Sequence, residues 1–119
     1  LADAPVHRDA ASRLAARHGT EAPHVARLGQ GLDLLRPLVP DRPFLEAEVA
    51  WAVRHELALS VDDVLSRRMR LSPELGAARA EVASRVAAIM SVELGWDQAR
   101  CERECDAYLE TADREYGVP

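Results

Sequence analysis

The chain has 119 residues, 48% of them apolar and only 4% aromatic, and a net charge of −5. That length supports one domain with its own core, and a core so poor in aromatics must be built from Ala, Leu and Val, which favours packed helices over sheets. The acidic balance excludes a general affinity for nucleic acid or anionic lipid, and no apolar run approaches the roughly 20 residues that span a bilayer.

Residues 1–8 read as a lead-in, because Pro5 bars a helix through them. A first helix is predicted over Asp9 to His18, with Ala11, Leu14, Ala15 and His18 on one face and Gly19 as its stop. Thr20 reads as the N-cap of a short second helix bearing Val25 and Leu28, ended by Gly29-Gln30-Gly31. Pro37, Pro40 and Pro43 rule out a long helix between Leu32 and Pro43, so an ordered connection is expected there, with room for a short strand at Leu38-Val39. A third helix is predicted from about Leu45 to Leu59 on the spacing of Leu45, Val49, Ala52, Val53 and Leu57.

Ser60 then caps a fourth helix, with Asp63 three residues on as in a capping box. Asp62 and Asp63 suit its positive end, and Arg67, Arg68 and Arg70 its negative end. Ser72-Pro73-Glu74 opens a further helix, fully established by Ala77, with Val82, Val86, Ile89, Met90 and Leu94 as its stripe and Glu81–Arg85 as an i,i+4 pair. Gly95 stops it, and Asp97 caps a last helix to about Tyr116, with Cys101, Cys105, Tyr108, Leu109 and Ala112 inward. The predicted fold is all-α, a compact single-domain bundle of five or six helices over residues 1–119, with short loops and a Pro-rich connection near residues 32–43.

Familiar catalytic patterns are missing. There is no GxGxxG, no HExxH, and no Walker lysine, since all 15 cations are Arg. Arg54-His55-Glu56 resembles an acid–base cluster, but three consecutive helical residues point about 100° apart and do not converge on one substrate atom. Cys101 and Cys105 on a helix would have Cβ atoms about 5–6 Å apart, too far for an intrahelical disulfide, and no finger-like set of further ligands follows them. Val61 to Leu75 has the length of a helix-turn-helix, but its acidic front and acidic surroundings argue against DNA. No catalytic, cofactor or metal residue is therefore assigned, and no nucleic acid partner.

The third and fourth helices instead place charges at the edges of their apolar stripes, where each needs a partner. Glu48, Arg54, Glu56, Arg67 and Arg68 form the candidate constellation, read either as a clamp between helices or as a docking surface. Arg68 follows Val61, Val64 and Leu65 on one helical face, so it is expected to be at least half buried and bonded to Glu48 or, second, to Glu56. In the rival reading, Arg67 or Arg68 faces outward to dock on another portion of the polypeptide.

His18-Gly19-Thr20-Glu21-Ala22-Pro23, Pro37-Leu38-Val39-Pro40, Glu46-Ala47-Glu48-Val49, Val53-Arg54-His55-Glu56, Asp63-Val64-Leu65-Ser66-Arg67-Arg68 and Glu93-Leu94-Gly95-Trp96-Asp97 stand in an order and spacing that resembles the C-terminal α-helical domain of bacterial FAD-dependent (aerobic) glycerol-3-phosphate dehydrogenases. The likeness runs from Arg17 to Asp97, with Gln98 to Tyr116 as a closing helix; Met69 departs from the Thr that often follows the paired arginines. The resemblance implies a cytoplasmic flavoenzyme, peripheral at the inner face of the cell membrane, that oxidises sn-glycerol 3-phosphate to dihydroxyacetone phosphate with FAD and passes electrons to a quinone or, as in related oxidases, to oxygen. It also implies that this chain, which starts at Leu1 and not at Met, is the C-terminal fragment of the longer enzyme. The fragment's partner would be the N-terminal FAD- and substrate-binding portion of the same polypeptide, and alone it would be inactive. A stand-alone helical interaction module and, less favoured, a helix-turn-helix regulator are the alternatives.

Overall fold

The computed structural model describes residues 14–39 and 44–116. The lead-in and the start of the first predicted helix lie outside them, as do Pro40 and Pro43. The described residues are all-α, with a β-bridge between Pro37 and Leu45 in place of the short strand expected at Leu38-Val39. The chain divides into two compact units, Leu1–Trp51 and Ala52–Pro119.

In the first unit, residues 14–18 are helical (α1). Gly19, at φ +57°, turns the chain into a 3-10 turn, Gly19–Glu21. Helix α2 follows over Ala22–Leu32 with Pro23 in its first turn, where a missing N–H costs nothing. Thr20 is not its N-cap; Thr20 lies inside the 3-10 turn and Glu21 holds the cap position. Nor do Gly29 and Gly31 end α2. A Cβ on Gly29 would sit 2.7 Å from both Ala47 Cβ and Leu35 Cδ2, so this glycine is present for close approach and not as a stop. The stop is Asp33, left-handed at φ +58°, with the Leu34 N–H returning to the Gly29 carbonyl at 2.7 Å.

The connection after α2 is zipped onto the start of α3. Leu38 N–H donates to Phe44 O, Glu46 N–H to Arg36 O and Ala47 N–H to Leu34 O, all within 2.9 Å. Leu14, Ala22, Val25, Ala26, Leu45, Ala47 and Trp51 form the core of this unit, with Leu28, Leu34 and Leu35 packed against it.

Helix α3 is Glu46–His55, five residues shorter than predicted, four of them at its C-terminal end. It ends where Leu57 takes φ +61° and the Ala58 N–H returns to Ala52 O at 3.1 Å. A left-handed leucine costs about 1–2 kcal/mol, and 82% of Leu57's surface is exposed.

In the second unit the predicted fourth helix runs over residues 61–68. Ser60 Oγ accepts the Asp63 N–H at 3.0 Å, and the Asp63 carboxylate accepts the Leu59 N–H at 2.9 Å, a capping box reaching one residue further back than usual. From Asp63 to Arg68 it is a π-helix, and Met69 N–H reaches back five residues to Val64 O at 2.9 Å. The wider turn changes which side chains face inward. One turn after Val64 the buried residue is Met69 and not Arg68, which is exposed.

After Arg70 (φ +53°) come α4, Ser72–Leu75, a 3-10 turn, Gly76–Ala78, and α5, Arg79–Leu94. The helix predicted to be established by Ala77 is broken at Gly76, whose φ of +51° and ψ of −126° suit glycine. Helix α5 buries Val82, Val86, Ile89 and Met90 as expected. Gly95 ends it at φ +73°. Asp97 Oδ1 accepts the Arg100 N–H at 2.8 Å and so caps α6, Gln98–Tyr116. Tyr108 and Ala112 are buried. The Cys101 and Cys105 thiols donate to the Ala87 and Ala83 carbonyls of α5 at 3.8 and 3.5 Å.

Candidate functional site

Glu48 is the third residue of α3, and its side chain folds back onto the helix's own start. Its Oε2 accepts the Leu45 N–H at 2.7 Å, the carboxylate half of a capping box. Arg17, from α1, closes on the same carboxylate with both arms, Nε to Oε1 at 2.8 Å and Nη2 to Oε2 at 2.6 Å. His18 Nε2 donates to Oε1 at 2.9 Å. The Arg17 guanidinium lies over the Phe44 ring, 4.4 Å from its centroid, and the His18 ring meets Trp51 edge-on. Glu48 is 5% exposed.

Burial by itself would raise the Glu48 pKa. Hydrogen bonds from His18, Arg17 and the Leu45 N–H outweigh it and hold the carboxyl below its ordinary 4.5. Each carboxylate oxygen receives two donors, which fills the four lone-pair sites of the group. A carboxylate so occupied has no lone pair left for a substrate proton or a metal. Its work is to tie α1 to the first turn of α3.

Glu48 was expected to receive Arg68. It is satisfied inside the first unit instead, and Arg68, turned outward by the π-helix, donates from Nη2 to the backbone carbonyl of Glu56 at 2.6 Å. Arg67 is exposed, its Nη1 3.8 Å from Asp63 Oδ1. Arg54 forms a two-armed pair with Glu93, Nε to Oε1 and Nη2 to Oε2, the second at 3.1 Å. The hydrogen bonds that Arg54 donates to Glu93 raise the Arg54 pKa. The Glu93 side chain is 8% exposed against 43% for Arg54, so the arginine acts as a lid over a nearly buried acid. Leu57, Ala58, Asp63, Arg67 and Arg68 line a shallow depression.

The five residues singled out from the sequence thus fall into two groups: Glu48 is in the first unit, and Arg54, Glu56, Arg67 and Arg68 are in the second. Sequence reasoning missed Arg17 and His18 as partners of Glu48. A signal was available, since His18 was placed on the inner face of its helix, where a polar ring needs a partner. Among the described residues no group of three or more His, Cys, Asp or Glu could hold a metal ion. Burial pushes the Cys105 thiol up from its ordinary range, with Cys101 and nearby acids adding to it, which disfavours a nucleophilic thiolate.

Comparison with known proteins matches residues 1–101 to the family described as the C-terminal domain of alpha-glycerophosphate oxidase. The mitochondrial glycerol-3-phosphate dehydrogenase of Arabidopsis thaliana is 37% identical over 105 residues, covering 86% of this chain and 17% of the relative. Glycerol-3-phosphate dehydrogenase 2 of Mycobacterium tuberculosis is 35% identical, covering 69% and 14%. The mitochondrial enzyme of Bos taurus is 34% identical over 115 residues, covering 92% and 15%. No solved structure matches. The chain spans less than a fifth of the length of these relatives, and over that span it belongs to the alpha-glycerophosphate oxidase C-terminal domain family.

Proposed function

We propose that this chain is the helical C-terminal domain of an FAD-dependent glycerol-3-phosphate dehydrogenase. The whole enzyme oxidises sn-glycerol 3-phosphate to dihydroxyacetone phosphate, and FAD, bound elsewhere in the polypeptide, accepts the hydride before the electrons pass to a quinone. The observation that carries this reading is the coverage: dehydrogenase relatives match 69–92% of this chain but 14–17% of their own length.

The domain's own role is architectural and docking. Among the described residues no strand leads through a glycine turn into a helix N-terminus, so the residues present do not fit the pyrophosphate of a dinucleotide. The one deeply buried carboxylate of the candidate constellation, Glu48, has its lone pairs filled. No step of the reaction is assigned to these residues. The enzyme works at the inner face of the cell membrane as a peripheral protein; no described helix is long and apolar enough to cross a bilayer.

The test is to read the coding sequence upstream of Leu1 and purify its full product. A glycine-rich strand–turn–helix near the start of that product, bound flavin and glycerol 3-phosphate-dependent dye reduction are expected. A product lacking all three would overturn the reading in favour of a helical interaction module.

A further inference from the structure

The stretch from Leu57 to Arg70 combines exposed apolar side chains, strained backbone and an unusual helix. Leu57 and Leu59 are 82% and 62% exposed, while Ala58 between them is 1% exposed. Leu57 and Arg70 both hold positive φ, a conformation that side-chain-bearing residues adopt rarely and that collects at functional sites. Between them runs the π-helix Asp63–Arg68, another feature concentrated at functional sites.

The two leucines are also held firmly in place. Arg68 fixes the carbonyl of Glu56 on one side of them. Asp63 fixes the Leu59 N–H on the other, and the Ala58 N–H is returned to Ala52 O. A pre-organised apolar tip loses little freedom when it is covered. Arg67, Arg68 and Arg70 are all exposed, whereas Asp62 and Asp63 of the same stretch are partly buried, so the cations lead its outer surface although acids stand beside them.

Resting on the reading of the chain as part of a longer flavoenzyme, we infer that Leu57 and Leu59, flanked by Arg67 and Arg68, are the surface by which this domain seats on the flavin-bearing portion of the same polypeptide. The matching face there is an apolar recess rimmed by carboxylates. Two leucines and their arginines fall well short of the roughly 800 Å² per partner of a stable interface between separate molecules. A covalently linked partner is met at an effective concentration of about millimolar, where so small a patch suffices. The relatives supply that partner in length, since more than four-fifths of each lies outside the span matched here. A membrane surface fits less well, because it would also meet the rest of an acidic chain.

The experiment is hydroxyl-radical footprinting of the full-length protein, first shown to contain flavin and to reduce dye with glycerol 3-phosphate. Leu57 and Leu59 are expected to be modified at least tenfold more slowly than in the same protein unfolded in urea. Leu57→Asn removes no bond that holds the loop and Arg67→Glu removes only the exposed 3.8 Å ion pair with Asp63, and each should restore most of that labelling. Labelling of both leucines within about threefold of the unfolded reference, with flavin bound and activity present, overturns the docking surface while leaving the parent reading intact. Protection that appears only on adding anionic phospholipid vesicles overturns it in favour of a membrane contact. A full-length product without flavin overturns the parent reading and this inference with it.

Discussion

The Glu48 node and the Leu57–Arg70 segment use the same residue types to opposite ends. In the first, a carboxylate is buried with every lone pair occupied by Arg17, His18 and Leu45. In the second, Arg67 and Arg68 are exposed and the backbone carries two left-handed non-glycine residues. A saturated buried pair holds one geometry because breaking it leaves a charge without solvent. A strained, exposed loop holds its geometry only where its surroundings impose it, and such strain collects at functional sites. Charge placement alone does not separate the two cases; the number of partners and the backbone conformation do.

The largest effect is expected at the node. Glu48→Ala removes four acceptor contacts and leaves Arg17 and His18 without their acid. A loss of about 3 kcal/mol in urea unfolding is expected, the low end of the range for breaking a buried pair, because the Arg17 side chain stays a quarter exposed. A loss under about 0.5 kcal/mol would show that the node is ornamental.

The same carboxyl sets an acid limit. Its folded-state pKa lies below 4.5, so its contribution is fully present above that value and is lost as pH falls through the depressed folded value. Stability measured by urea melts should therefore drop from about pH 5 downward, and Glu48→Gln should flatten that part of the profile. An unchanged slope in the variant would assign the acid sensitivity elsewhere.

Arg54→Ala uncovers Glu93 and is expected to cost about 1 kcal/mol, no more than an exposed pair gives, because the guanidinium is already largely in water. Leu57→Asn runs the other way. Asn tolerates the left-handed conformation and the Leu57 side chain is 82% exposed, so a gain of about 0.5–1 kcal/mol is expected in the same melts. A loss of that size would mean that Leu57 has an internal packing role, and the contrast between the two regions would collapse.

Much of the helical order was legible because its signals are local. The apolar stripe of α5, its glycine stop at Gly95, the Asp97 cap and the Ser60–Asp63 capping pair each rest on residues within one or two turns of each other. What was not legible depended on distant neighbours or on helix type. Gly29 reads as a breaker until Ala47 and Leu35 are seen against it. Thr20 reads as a cap until the chain tightens into a 3-10 turn around it. Arg68 sits on the inner face of an α-helix but on the outer face of a π-helix, and nothing in Asp63-Val64-Leu65-Ser66-Arg67-Arg68 announces the wider turn. Of the candidate constellation, Glu48 is buried against an arginine, but not the expected Arg68. The partner was misassigned, because Arg17 is 31 residues earlier in the chain.

The division between a helical appendage and a catalytic portion is tested most directly by the 119-residue chain on its own. Purified and checked for helical circular dichroism, it should be colourless, show no flavin absorbance after incubation with FAD, and reduce no dye when given glycerol 3-phosphate. A folded chain that binds flavin, or that turns over glycerol 3-phosphate with added FAD, would contradict this and place catalytic machinery within these helices.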